Sequence, residues 1–202
     1  MRDSKPFKTI KQPAVAIIFE KKSEFIAKIA PVSSESEALE IIAEIRANQR
    51  KASHNCYAYR IREGDTERYN DDGEPSGTAG MPILEILRGR EVTDVVCVVT
   101  RYYGGIRLGA SGLTRTYARA AKTSFCNDDV IEMSPAQQIR VTVDYSEYER
   151  TRKELVKAGG IIISEDFTDV TEIMAIMPLD SAIGEEFVEI VPKLHYNFGK
   201  KV

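Results

Sequence analysis

Two groups of residues in this chain have types and spacings that can do chemistry. The first is His54 with the acids Asp71, Asp72 and Glu74. An imidazole beside carboxylates is the raw material of general acid–base work or of a metal site. The second lies in Thr100 to Lys122, T-R-Y-Y-G-G-I-R-L-G-A-S-G-L-T-R-T-Y-A-R-A-A-K. There Gly104, Gly105 and Gly109 make a loop, Gly112 falls in the first turn of a helix, and Arg101, Arg107, Arg115, Arg119 and Lys122 supply positive charge. The first N–H groups of a helix have no partner within it, and the helix dipole makes them an anion site. Arginines along the same helix suit the phosphates of a nucleic acid.

The acids belong to N-D-D-G-E-P-S-G-T-A-G-M-P, Asn70 to Pro82, where three glycines, two prolines and three acids fall in thirteen residues. That composition predicts an ordered loop in which Asp side chains bond turn backbones. The spacing excludes an EF-hand. Two histidines, His54 and His195, do not supply a multi-histidine metal site, and neither G-x-S-x-G nor H-E-x-x-H is present. The expectation is therefore no metal and no catalytic residue. A small hydrolase or metal-dependent enzyme using His54 with Asp71, Asp72 and Glu74 is the alternative. The glycine loop has three readings: strand–helix packing, a phosphate site at the helix N-terminus, or one end of an arginine patch along RNA. Its spacing fits neither the Walker loop nor G-x-G-x-x-G, so no nucleotide cofactor is expected. Tyr57, Tyr59, Tyr102 and Tyr103 are candidates for stacking on bases, with packing in the sheet as the plainer role.

The bulk of the chain narrows the class. With 202 residues, 43% hydrophobic and 29% charged, it has room for one large or two small globular domains. A net charge of −3 rules out binding nucleic acid with the whole surface, so a local basic patch must do it. Cys56, Cys97 and Cys126 have no metal-ligand spacing, and their odd number gives no disulfide framework. The N-terminus has no apolar leader and no window holds 18 apolar residues, so the expected location is the cytoplasm, away from membranes.

The elements that must position these residues follow from periodicity. Ala14 to Glu20 and Glu24 to Val32 read as a hairpin about Lys21, Lys22 and Ser23. Ser34 with Glu37 is a capping box, and Ala38, Ile41, Ile42 and Ile45 continue a helix to about Asn48. His54 to Arg62 alternates as a strand, and Glu63-Gly64-Asp65 turns it into another ending at Tyr69. Pro82 suits the first turn of a helix to about Leu87. Asp94 to Tyr102 is a strand buried on both faces. The glycine loop then leads into a helix from about Ala110 to Phe125, apolar at Leu113, Tyr117, Ala120 and Ala121, with Arg115, Arg119 and Lys122 opposite. Ser134-Pro135-Ala136 marks a composition change. Beyond it come a strand (Gln138 to Tyr145), a helix (about Glu147 to Ala158) stopped by Gly159-Gly160, two strands through Met177, a helix from Asp180 or Ser181 to about Val191 stopped by Pro192, and a strand from Leu194 to Phe198. That β-α-β-β-α-β order is the ferredoxin-like pattern.

R-Y-Y-G-G-I-R-L-G-A-S-G-L-T-R-T-Y, N-D-D-G-E-P-S-G-T-A-G-M-P-I-L and H-N-C-Y-A-Y-R together resemble the IMPACT/YigZ family over most of the chain. The chain departs from the family at Ser111, where a glycine is usual, and at position 107, Arg here but uncharged in some relatives. The resemblance implies an α+β protein of two domains. Residues 1–134 would be an Impact-type domain with the ribosomal protein S5 domain 2-like fold. Residues 135–202 would be a ferredoxin-like domain similar to domain V of elongation factor G. It also implies a role in translation, since eukaryotic relatives regulate initiation by competing for an activator of a stress-response kinase. His54, Asp71, Asp72, Gly73, Glu74, Pro75, Gly77 and Thr78 then belong to a family motif without an assigned role. The expected partner is RNA, the ribosome or a translation-linked protein, bound without chemistry. A protein-interaction module using an exposed face of the ferredoxin-like sheet is a further alternative.

Overall fold

In a computed structural model, which describes residues 5–125, 130–181 and 188–199, the chain opens with a short strand β1 (Phe7–Ile10). The expected hairpin follows as β2 (Ala14–Glu20) and β3 (Ser23–Pro31), in register from Ala14 opposite Ile29 to Glu20 opposite Ser23. Its two-residue turn puts Lys21 at φ 44° and Lys22 at φ 66°. Both central residues are left-handed, as the right-handed twist of the strands requires of so short a turn.

Helix α1 (Glu35–Asn48) starts where the sequence puts it. Ser34 accepts the Glu37 N–H, but the Glu37 carboxylate reaches the Ser33 N–H and hydroxyl instead of the cap residue itself. Those Ser33 bonds hold the Glu37 carboxyl below its usual range. Strand β4 (His54–Ile61) turns through Glu63–Asp65 into β5 (Thr66–Asn70). Helix α2 (Gly80–Gly89) carries Pro82 in its first turn and runs slightly past the expected Leu87. Strand β6 (Val95–Tyr102) and helix α3 (Ala110–Thr123) complete this part.

Sheet order β2-β3-β6-β4-β5 is antiparallel throughout, with β6 in the middle. One face packs Phe25, Ala27, Ile29, Cys97 and Val99 against α2 and α3, where Leu84, Leu87, Leu113 and Tyr117 are buried. The other packs Val96, Val98 and Tyr59 against Ala38, Ile42 and Ile45 of α1. A strand covered on both sides must be apolar at every position, which is why Val95 to Val99 is a continuous run.

The chain divides into two units, Lys8–Ile131 and a second built on Glu132–Lys200. Strand β7 (Val130–Val143) begins earlier than Gln138 and runs through Pro135, whose carbonyl accepts the Leu179 N–H. Helix α4 (Tyr145–Lys157) ends as its glycines predict. Gly159 takes φ 85°, and the N–H groups of Gly159 and Gly160 return to Val156 and Leu155. Strands β8 (Ile161–Phe167), β9 (Thr171–Pro178) and β10 (Val188–Tyr196) give the order β8-β9-β7-β10, the strand arrangement of a ferredoxin-like sheet. The helix expected to reach Val191 is corrected here. Val188 to Val191 pair with β7 as strand, and residues 182–187 lie outside the described residues. Pro192 falls in the register shift between Val191 and Leu194, where a residue with no N–H drops out of the ladder without stopping the strand.

Lys21 and Lys22 carry a conformational cost at the hairpin tip, since a left-handed backbone is unfavourable for a residue with a Cβ. Replacing them by Asn-Gly (K21N/K22G) is expected to raise stability by about 1 kcal/mol, read as a higher urea midpoint at unchanged m-value.

Candidate functional site

The residues singled out by type converge, but on different terms than a catalytic cluster needs. Asp71 is spent on backbone: Oδ1 accepts the Ala79 and Gly80 N–H groups and Oδ2 that of Gly77. It thereby caps the start of α2, which has no side-chain cap from its own N-cap residue, Ala79. Asp72, at φ 44°, accepts the Asn55 N–H at 2.6 Å and pairs with Arg46 of α1 at 2.6 Å. Thr78 closes the Pro75 turn through its hydroxyl. Gly73 and Gly77 take left-handed backbone within the same turns. The 70–82 loop is held by its own acids, as its composition predicts.

Glu74 does something else. Its side chain is 4% exposed and Oε1 accepts from Arg101 at 2.5 Å and from the Tyr117 hydroxyl at 2.9 Å. Arg101 is itself 6% exposed at the side chain. Its guanidinium lies between the rings of Phe25 and Tyr103, 5.4 and 5.3 Å from their centroids. The expectation of Arg101 as an exposed phosphate contact is corrected. On β6 its side chain falls on the same face as Cys97 and Val99, beneath the Glu74 loop, so it is a buried partner rather than part of a solvent-facing stripe.

His54 stands beside this pair. Its Nδ1 is 2.8 Å from the Asp72 carbonyl, which can only accept, so Nδ1 carries the proton and Nε2 turns to Glu74 Oε1 at 3.9 Å. Cys56 donates its thiol to the Asp71 carbonyl and lies 3.4 Å from the Tyr117 hydroxyl. Burial pushes the Cys56 thiol up to about 12, which makes it a poor nucleophile. Burial, then Cys56 and Glu74, also push Tyr117 well up. Cys97 is buried and raised to about 12 by desolvation. Cys126 lies outside the described residues. Among the described residues no group of three or more His, Cys, Asp or Glu is placed to hold a metal ion.

The glycine loop divides its labour. A Cβ on Gly104 would stand 2.0 Å from the Lys22 carbonyl oxygen, and the Gly104 N–H goes to Ser23 Oγ. Gly104 is therefore a packing residue that seats the β2–β3 hairpin. Gly109 caps α3 at φ 73° and ψ 163°, a combination open in practice to glycine alone, and no side chain caps the helix. Gly105, at φ 85°, has open space around it. Arg107, Arg115, Arg119 and Lys122 are exposed. Arg119 pairs with Glu20 of β2 at 2.9 Å and reaches the Phe19 carbonyl. Leu113, Tyr117, Ala120 and Ala121 are buried, as the helix pattern predicts.

Between the loop, the start of α3 and the Glu74 turn lies a cleft of about 540 Å³, lined by His54, Glu74, Arg101, Tyr103, Arg107 and Gly109 among others. Sequence reasoning missed two parts of this region. The Arg101–Glu74 pair joins residues 27 apart, and nothing in local periodicity signals it. Lys21 and Lys22 are exposed at a hairpin tip that packs on Gly104, which brings two more cations beside α3. Their signal was available: two lysines in a two-residue turn, where Asn-Gly is the easier choice.

The Impact N-terminal domain model matches residues 21–125. The IMPACT family member YvyE of Bacillus subtilis (strain 168) is 42% identical over 165 residues, covering 81% of this chain and 76% of its own length. The IMPACT family member YigZ of Escherichia coli (strain K12) is 30% identical over 161 residues, 78% of this chain and 79% of its own. Among solved structures, one described as the crystal structure of a hypothetical protein aligns over 86% of both chains at 28% identity with a TM-score of 0.62.

Removing one member of the buried pair leaves the other charge without compensation. Glu74→Ala is expected to cost about 3–5 kcal/mol in urea unfolding. A double replacement of Glu74 and Arg101 by apolar residues of similar volume should cost much less, and equal losses would show that the pair carries no such role.

Proposed function

The chain belongs to the IMPACT family, and on that premise we propose that it acts in the regulation of translation as a binding protein without chemistry of its own, holding RNA or a ribosomal site. The observation that carries this reading is a corner of exposed cations in a chain of net charge −3. Lys21 and Lys22 stand at the hairpin tip, Arg107 in the glycine loop, and Arg115, Arg119 and Lys122 along α3. The Gly104 contact and the Arg119–Glu20 pair tie hairpin and helix together. Only Arg119 of these six has an ion-pair partner among the described residues. The five that have no ion-pair partner among the described residues are available to phosphates. Such contacts position a nucleic acid and carry no sequence information.

The hydrolase or metal-dependent alternative loses two of its three acids, because Asp71 and Asp72 are committed to backbone N–H groups and to Arg46. A protein partner has one observation in its favour. Val15, Ile17 and Phe19 on the edge strand β2 are 58%, 53% and 68% exposed, an apolar row at alternate positions. That row lies in the first unit, not on the ferredoxin-like sheet where the sequence reading places an interaction face. No helix among the described residues is long and apolar enough to cross a membrane.

The test is binding to structured RNA and to ribosomes at two salt concentrations. R115A/R119A is expected to weaken binding about tenfold and to lower the salt slope by roughly 1.4–1.8, two phosphate contacts' worth. Unchanged affinity and slope would overturn the reading. Binding that resists salt and falls on Ile17→Asp would favour the protein partner.

A further inference from the structure

We propose that strand β2 joins this chain to a second copy of itself, edge to edge, about a two-fold axis at Ile17. Two five-stranded sheets of the first unit then become one continuous sheet. The inference goes beyond the RNA reading and does not rest on it.

Strand β2 is the end strand of its sheet and pairs only with β3 among the described residues. The phase of its ladder follows from the hairpin. Around a two-residue turn the flanking residues, Glu20 and Ser23, turn their N–H and C=O groups toward each other. Ile18, Ala16 and Ala14 do the same by alternation, so Phe19, Ile17 and Val15 turn their backbone groups to the open edge. The Phe19 carbonyl agrees with this phase, because the Arg119 guanidinium of α3 reaches it at 3.3 Å. The same three residues carry the exposed apolar side chains. Ala14 and Ile18 pack on the core beneath α2 and α3. Val15, Ile17 and Phe19 therefore stand on the opposite face, where α1 packs over Val96, Val98 and Tyr59 and leaves β2 uncovered. An open edge is a template for another strand, and proteins that keep one exposed blunt it with a lysine, a proline or a bulge. Strand β2, A-V-A-I-I-F-E, has none of these, its register is unbroken, and its one charge, Glu20, is paired with Arg119.

The pattern is its own complement. Antiparallel pairing centred on Ile17 sets Ile17 against the partner's Ile17, and Val15 against the partner's Phe19. These are the hydrogen-bonding positions, and they supply about six new N–H···O bonds. A shift of two residues sets Phe19 against Pro13, which has no N–H, or Val15 against Lys21, whose backbone is left-handed. Charge selects the same register. On the apolar face Lys28 lies beside Val15, Ile26 beside Ile17 and Glu24 beside Phe19. Across the pair, an outer row reads Lys28, Val15, the partner's Phe19, the partner's Glu24, and the middle row is isoleucine throughout. Each outer row carries one cation and one carboxylate, and no like charges meet on this face. An unrelated extended segment satisfies the ladder but has no reason to carry this symmetry, whereas a second copy supplies it by construction. One strand edge covers less than the roughly 800 Å² per partner of a standard interface, so the association is weak and reversible.

Sedimentation equilibrium of the full chain from about 5 to about 500 μM tests it. The mass is expected to rise from one chain toward two, and I17D to weaken the association at least about tenfold by placing a carboxylate on the axis. Cysteine cross-linking reads the register, since paired positions lie within reach of a disulfide. With oxidised glutathione, I17C is expected to link to itself. V15C and F19C should each stay unlinked alone and link when mixed, above the background of the unsubstituted chain. Should I17D not fold, the cross-linking pattern decides. A monomer at every concentration, masses above two chains, a dimer indifferent to I17D, or cross-links in another pattern would each overturn the inference. A monomer whose ribosome binding falls in I17D also overturns it and assigns the edge to another protein. The RNA reading is decided separately, by the salt slope of R115A/R119A.

Discussion

An arginine inside a sheet is tolerable only if something answers its charge, and most of the first unit's architecture around the cleft can be traced to that requirement at Arg101. The pair with Glu74 pulls the 70–82 loop down onto β6, and the Tyr117 hydroxyl binds the same carboxylate oxygen from α3. Three elements far apart in sequence are thereby fixed at one atom. Phe25 and Tyr103 flank the guanidinium, so the charge is held by aromatic faces as well as by a carboxylate. An interaction of this kind contributes more to specifying one arrangement than to net stability, because the desolvation of both charges offsets much of their attraction.

The loop that delivers Glu74 is rigid for a related reason. Asp71 satisfies three backbone donors and Asp72 joins α1, β4 and the turn. An acid-rich stretch that looks like a catalytic or metal-binding cluster in one dimension is a self-capped turn in three. Only Glu74 remains pointed at the cleft, and His54 is oriented beside it by the Asp72 carbonyl. The family relationship covers these motifs, since the matched segment 21–125 contains the hairpin tip, the acidic loop and the helix.

The basic corner obeys a different constraint. Its cations occupy places where a protein built only for stability would choose otherwise: two left-handed lysines and an arginine-bearing helix face with few acids opposite. Retaining a local cost at an exposed tip is a pattern associated with binding surfaces. The hairpin is held against the helix by the absence of a side chain at Gly104. The glycine loop therefore seats the hairpin against the helix and carries one of the exposed cations, Arg107, itself.

Periodicity and turn chemistry determined by themselves the elements that depend on near neighbours. The hairpin, α1 with its Ser34 cap, the doubly covered strand β6, the amphipathic α3 and the Gly159-Gly160 stop all follow from spacing, because hydrogen bonds and buried faces repeat locally. The family motifs were also legible, as strings. Tertiary structure decided the rest. Pro192 ends a helix by propensity but sits in β10 because pairing with β7 outweighs it. Arg101 carries the same residue type as Arg115, yet one is buried on a central strand and the other faces solvent. The partner that makes burial possible, Glu74, is chosen by chain packing across residues distant in sequence, and one-dimensional spacing holds no record of which charges will meet.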